Sequence, residues 1–112
     1  MEFNDFDVEI ENKKDSTPEH IEGSVTTAGV PITVTASNAK PIHSAIILNQ
    51  RVGPNANPSG STSYLRVSTD GGSNWATVPR NGWITLAGVF DDIRVDAGAD
   101  GLKYEIILLQ TK

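Results

Sequence analysis

A chain of 112 residues can enclose one hydrophobic core but not two. Its formal charge of -5 comes with no polybasic run, which excludes a phosphate-neutralising nucleic-acid surface. With no cysteine, neither a disulfide framework nor a thiolate metal site can support the fold.

Acidity is concentrated at the start. Residues 1–23 hold eight carboxylates (Glu2, Asp5, Asp7, Glu9, Glu11, Asp15, Glu19 and Glu22) against Lys13 and Lys14, while the remainder holds six acids and seven bases. The chain is therefore divided into an acidic N-terminal arm or first strand, residues 1–23, and a nearly charge-balanced body, residues 24–112. No basic stretch followed by an apolar core opens the chain, and no apolar run approaches the roughly 18 residues of a membrane span. A soluble, unprocessed protein is expected.

Hydrophobic spacing has period two almost throughout, the mark of half-buried strands. In the arm, Phe6, Val8 and Ile10 alternate with Asp7, Glu9 and Glu11, and a short helical turn is allowed within Ser16–Glu22. Ile32, Val34 and Ala36 follow Pro31, which suits a strand start because it has no N–H to donate. The runs Ala45–Leu48 and Ile106–Leu109 are continuously apolar, as expected of strands covered on both sides, at the domain centre or at a subunit contact. Leu65 with Val67, Ile84 with Leu86, and Ile93 with Val95 supply three more alternating segments. Turn signals fall between them at Ala28-Gly29, Asn38–Pro41, Asp70–Gly72, Arg80–Gly82 and Gly98–Gly101, where Gly and Asn suit tight hairpins. About eight short strands at this spacing predict an all-β, antiparallel β-sandwich, jelly-roll or Ig-like. One connection is oversized: Asn49 to Ser63 carries no periodic pattern, and loops of that length commonly carry contacts or lack order.

Signs of chemistry are sparse. His20 and His43 have no Gly-x-Ser-x-Gly turn or other nucleophile motif beside them and read as surface histidines. Asp91 and Asp92 point to opposite faces of an extended chain, and with Asp96 and Asp100 they lack the Asp-x-Asp-x-Asp-Gly spacing of a calcium loop. Neither a catalytic residue, a metal nor a cofactor is expected.

The most specific motif is Ser68-Thr69-Asp70-Gly71-Gly72-Ser73-Asn74-Trp75. It resembles the Asp-box of sialidase-like β-propellers, Ser-x-Asp-x-Gly-x-Thr-Trp, with Asn74 in place of Thr. Asp70 is expected to accept backbone N–H bonds across the turn, with Trp75 folded back over the hairpin. In those families the box is structural, and a single copy here implies a fold element.

A broader pattern runs from Val25 to Leu109: a strand ending Ile46-Ile47-Leu48-Asn49, the Ser68–Trp75 hairpin, Val78-Pro79 before Gly82–Leu86, then Ile93–Val95 and Tyr104–Leu108. It resembles the small β-sandwich proteins of tailed-bacteriophage particles, of the capsid-decoration, head-to-tail and fibre-attachment kind. The resemblance implies a non-enzymatic structural virion protein that binds the capsid or head-tail lattice as a decoration or accessory subunit. Its partners would be capsid, portal, neck or tail subunits, in a homo-oligomer or lattice-bound state, with no nucleic acid and no membrane. Contacts are expected from Phe3, Phe6, Val8 and Ile10 of the arm, which could add a strand to a neighbour's sheet or form this domain's own first strand, and from Arg51, Asn55 and Asn57 of the long loop. The alternative is a carbohydrate-binding or host-adhesion module in which Tyr64 and Trp83 stack on sugar rings.

Overall fold

The structure, a computed structural model, describes residues 18–37 and 40–110. The expected contacts Phe3, Phe6, Val8 and Ile10 lie outside the described residues. Eight strands follow in order: β1 (Pro18–Val25), β2 (Ile32–Thr35), β3 (Ile42–Asn49), β4 (Leu65–Ser68), β5 (Ala76–Val78), β6 (Gly82–Phe90), β7 (Asp92–Ala97) and β8 (Leu102–Gln110). They form two antiparallel sheets of four, ordered β1-β8-β3-β6 and β2-β7-β4-β5. This is the connectivity of a jelly roll, which decides between the two sandwich types that alternation leaves open.

Five turn signals were expected to close hairpins, and only the one at Asp70–Gly72 does so, between the neighbours β4 and β5. At the other corners the chain passes from one sheet to the other, because each successive strand belongs to the opposite sheet. Residues 18–22 belong to β1 rather than to a helical turn. Gly23 disfavours a helix, whereas pairing with β8 along all eight residues turns Ile21 and Val25 towards the interior.

Alternation fills the space between the sheets. Leu102, Tyr104, Ile106 and Leu108 of β8 face Ile93 and Val95 of β7 and Leu65 and Val67 of β4, all buried. In β3 the inward set is Ala45, Ile47 and Asn49; the register then shifts between Ile42 and Ser44 against both neighbours, which returns Ile42 to the interior. On β1, Gly23 sits opposite Tyr104 in the ladder. A Cβ at Gly23 would collide with the Tyr104 hydroxyl and ring, which occupy the space that any side chain would need.

The oversized Asn49–Ser63 connection is tied down by side-chain amides. Asn57, 3 % exposed, donates through Nδ2 to Asn49 Oδ1 (2.7 Å) and to the Lys103 carbonyl (2.8 Å), and its Oδ1 accepts the Lys103 N–H (2.7 Å). Asn49 in turn donates to the carbonyls of Ser63 (3.1 Å) and Val78 (2.9 Å). The Asn57 N–H reaches the Gln50 carbonyl at 2.8 Å, and Gln50 and Ala56 form an isolated parallel bridge.

Replacing Asn57 strands several of these buried groups without partners, each worth about 1–3 kcal/mol. Asn57→Ala should lower the unfolding free energy by about 3 kcal/mol in a urea titration. Gly23→Ala should cost about 1–3 kcal/mol by overpacking against Tyr104, in the same assay.

Candidate functional site

The register lays out the outer face of the β1-β8-β3-β6 sheet as three rows: Pro18, Leu109, Ser44 and Ala87; His20, Ile107, Ile46 and Thr85; Glu22, Glu105, Leu48 and Trp83. Its middle is apolar. Ile46 and Ile107 face each other across the β3–β8 ladder and are 36 % and 38 % exposed, and Trp83 beside Leu48 is 65 % exposed. Val89 extends the same edge strand and is also exposed. The continuous apolar runs thus do lie in the two central strands of a sheet, as expected, but the described residues cover only one of their faces. A second cover, expected from the sequence, is not supplied by the described residues.

Charge is gathered along the β1 edge of this face. His20 Nε2 lies 3.1 Å from Glu105 Oε2 and 3.6 Å from Glu22 Oε1, while Glu22 and Glu105 are direct cross-strand partners. Spacing of two along β1 puts His20 and Glu22 on one face, and the antiparallel register brings Glu105 beside them. Sequence reading placed His20 in the acidic arm as an ordinary surface group; recognising the trio requires the β1–β8 register, which pairs residues more than eighty positions apart.

The loop residues singled out from sequence separate. Arg51 is exposed and Asn55 half-buried at the loop tip, so both remain accessible. Asn57 departs from the expectation of a partner contact: its amide is spent inside the chain on Asn49 and Lys103. The two aromatic rings do not share a platform. Trp83 projects from the first sheet, whereas Tyr64, next to the inward Leu65 of the second sheet, packs its ring where a Gly98 side chain would be.

The Ser68–Trp75 hairpin has the internal bonding expected of its motif. Asp70 Oδ1 accepts the Ser73 and Asn74 N–H groups (both 3.0 Å) and the Ser68 hydroxyl (2.7 Å), while Oδ2 accepts the Asn74 amide (2.7 Å). Gly71 and Gly72 take φ of 75° and 96°, and the indole Nε1 of Trp75 donates to the Gly72 carbonyl at 3.0 Å. A shallow pocket of about 210 Å³ lies beside it, lined by Val67, Asp70, Trp75 and Leu86 among others. Both carboxylate oxygens of Asp70 are directed at the hairpin itself, which makes it a turn lock.

Trp75 also ties the hairpin to the outer face of the second sheet. The Arg66 guanidinium stacks 5.1 Å from the Trp75 ring and donates to Asp96 Oδ2 at 2.6 Å. Asp96 Oδ1 accepts the N–H groups of Gly29 and Ala97, both at 2.8 Å. Burial pushes the Asp96 carboxyl up, but the Ala97 N–H, the Arg66 hydrogen bond, the Gly29 N–H and the Arg66 charge together outweigh it and hold the group below its ordinary value. Asp70 is held well below the ordinary value by the Ser68 hydroxyl first, then by the Asn74 side chain and N–H, with Ser73 adding to these against a small desolvation.

Both folded-state values are depressed, so the stability these groups contribute is complete above the ordinary carboxylate range and is lost as pH falls through the lowered values. Urea titrations should show unfolding free energy declining below about pH 4. Asp70→Asn should show a shallower decline, because one depressed carboxylate has been removed.

In comparisons with known proteins, no family model matches the chain, and neither a curated protein nor a solved structure shows significant similarity to it.

Proposed function

We propose that this chain is a non-enzymatic structural protein of a tailed-bacteriophage particle, a decoration or accessory subunit that binds the capsid or head-tail lattice. The observation that carries the reading is the apolar middle of the β1-β8-β3-β6 outer face, where Ile46, Ile107 and Trp83 stand exposed on a sheet whose other side is already the core. A one-sided antiparallel sheet ordinarily presents polar residues outward, so a contiguous apolar centre with charge along one edge fits a surface made to be covered by another protein. The occupant in this reading is a lattice subunit of the particle. The jelly roll recurs among viral capsid domains, and that fold-level analogy points the same way. The exposed loop tip at Arg51 and Asn55 offers a second, polar point of contact, and Phe3, Phe6, Val8 and Ile10 of the acidic arm a third.

Jelly rolls also occur among lectins, and exposed Trp83 is the observation in favour of a carbohydrate-binding or host-adhesion module. Against it, Tyr64 lies beside the other sheet, packed against Gly98, so the two rings named for stacking do not share a face.

Particles assembled from the genome that encodes this chain should carry it in many copies, measurable by quantitative mass spectrometry. Ile46→Asp combined with Ile107→Asp should prevent its retention on particles while the isolated domain melts as before, since both side chains point outward. Absence from particles, or normal retention of the double variant, would overturn the reading. Glycan binding that vanishes in Trp83→Ala would instead establish the adhesion module.

A further inference from the structure

The trio at the β1 edge has the composition and spacing of a metal site, and we infer that His20, Glu22 and Glu105 bind a divalent transition-metal ion of the zinc type. An ion held at the usual 2.0–2.2 Å by a tetrahedral ligand set separates its ligand atoms by about 3.4 Å. The His20 Nε2 distances of 3.1 Å to Glu105 and 3.6 Å to Glu22 bracket that edge, and the three ligand atoms all lie within 4.8 Å of one another. Each ligand comes from a hydrogen-bonded strand, so the positions are set by the β1–β8 ladder and not by a loop.

The electrostatics of the pair Glu22 and Glu105 supply a second argument. Like charges directly opposite in an antiparallel ladder destabilise it unless a cation stands between them. Glu105 is only 16 % exposed, flanked by Leu48 in its row, so water screens it weakly. Lys103, two residues before Glu105 on the same face of β8, directs its ammonium to the Pro54 carbonyl at 3.2 Å. An ion beside His20 neutralises both carboxylates at once. The side of the trio formed by His20 and Glu22 is half-exposed, which leaves an entry path and room for water in the remaining coordination position. Selectivity follows from the donors: an imidazole with two carboxylates suits zinc and its neighbours, whereas calcium demands six to eight oxygens. The site is independent of what the apolar middle of the face meets, because all three ligands belong to one chain.

The test is isothermal titration of the untagged full chain with zinc chloride, with calcium and magnesium chloride as comparison. Saturable binding of one zinc per chain is expected, with calcium and magnesium at least about tenfold weaker. His20→Ala and Glu105→Gln should each weaken zinc by about tenfold or more, the loss that even outer-shell partners of a metal cause. Zinc should also raise the melting temperature of the native protein and not that of His20→Ala. Both replaced side chains lie on the outer face, and circular dichroism of the metal-free variants checks that they fold. No saturable zinc binding, equal affinity in either folded variant, or calcium binding as tightly as zinc would overturn the assignment. If Glu105→Gln fails to fold, the His20→Ala comparison decides.

Discussion

One buried side-chain contact, the amide of Asn57 donating to the side-chain Oδ1 of Asn49, organises an entire end of the sandwich. Two sheets packed only through apolar residues can slide, since hydrophobic contact has no direction. Asn49 sits at the end of β3 in the first sheet and gives its amide to carbonyls of Ser63 and Val78, which border the second. Neighbouring bonds carry the linkage around the same end: Arg80 Nε to the Asn57 carbonyl, the Asn81 N–H to the Asn49 carbonyl, the Gly98 N–H to the Tyr64 carbonyl, and the Ala28 N–H to Asp100. Four crossings between sheets are thereby locked to one another, and fully satisfied polar networks of this kind fix a single packing where apolar surfaces would accept several.

Much of this was legible in the sequence, and the failures have physical causes. Period-two alternation locates β2, β4, β6 and β7 because each buries one face, and the Asp70 hairpin is readable because its bonds are local, spanning at most four residues. What alternation cannot show is partner choice. Turn residues look the same whether the chain doubles back beside itself or crosses to the opposite sheet, so corners such as Arg80–Gly82 pass for hairpins. Asn57 reads as a loop amide because its partners at Asn49 and Lys103 are distant in the chain, and the polar residue that closes a core end has the composition of one that faces solvent. The His20, Glu22 and Glu105 trio is hidden for the same reason: one ligand arrives from the far end of the chain.

The two outer faces of the sandwich divide the work. On the second sheet, Arg66 is held between Asp96 and the Trp75 ring, and the polar groups there are used to stiffen the domain. On the first, the apolar centre is left uncovered by the described residues while ionisable groups stand along one edge. The same use of polar groups that makes one side self-sufficient is missing from the other among the described residues, so the two faces differ in kind.

The placement of β8 constrains how the domain comes into being. It lies between β1 and β3, so β1 has no link to the rest of the first sheet until β8, the last of the described strands, is present. On a ribosome, β1 waits without its β8 partner while the six strands between them are made, and this long-range pairing must form after the intervening loops have closed. Such topologies fold slowly and by late, cooperative closure. Until then β3 lacks its neighbour along one edge and the β8 side chains are missing from the core, so the interval between synthesis and closure is the period in which this protein is most exposed to misassociation.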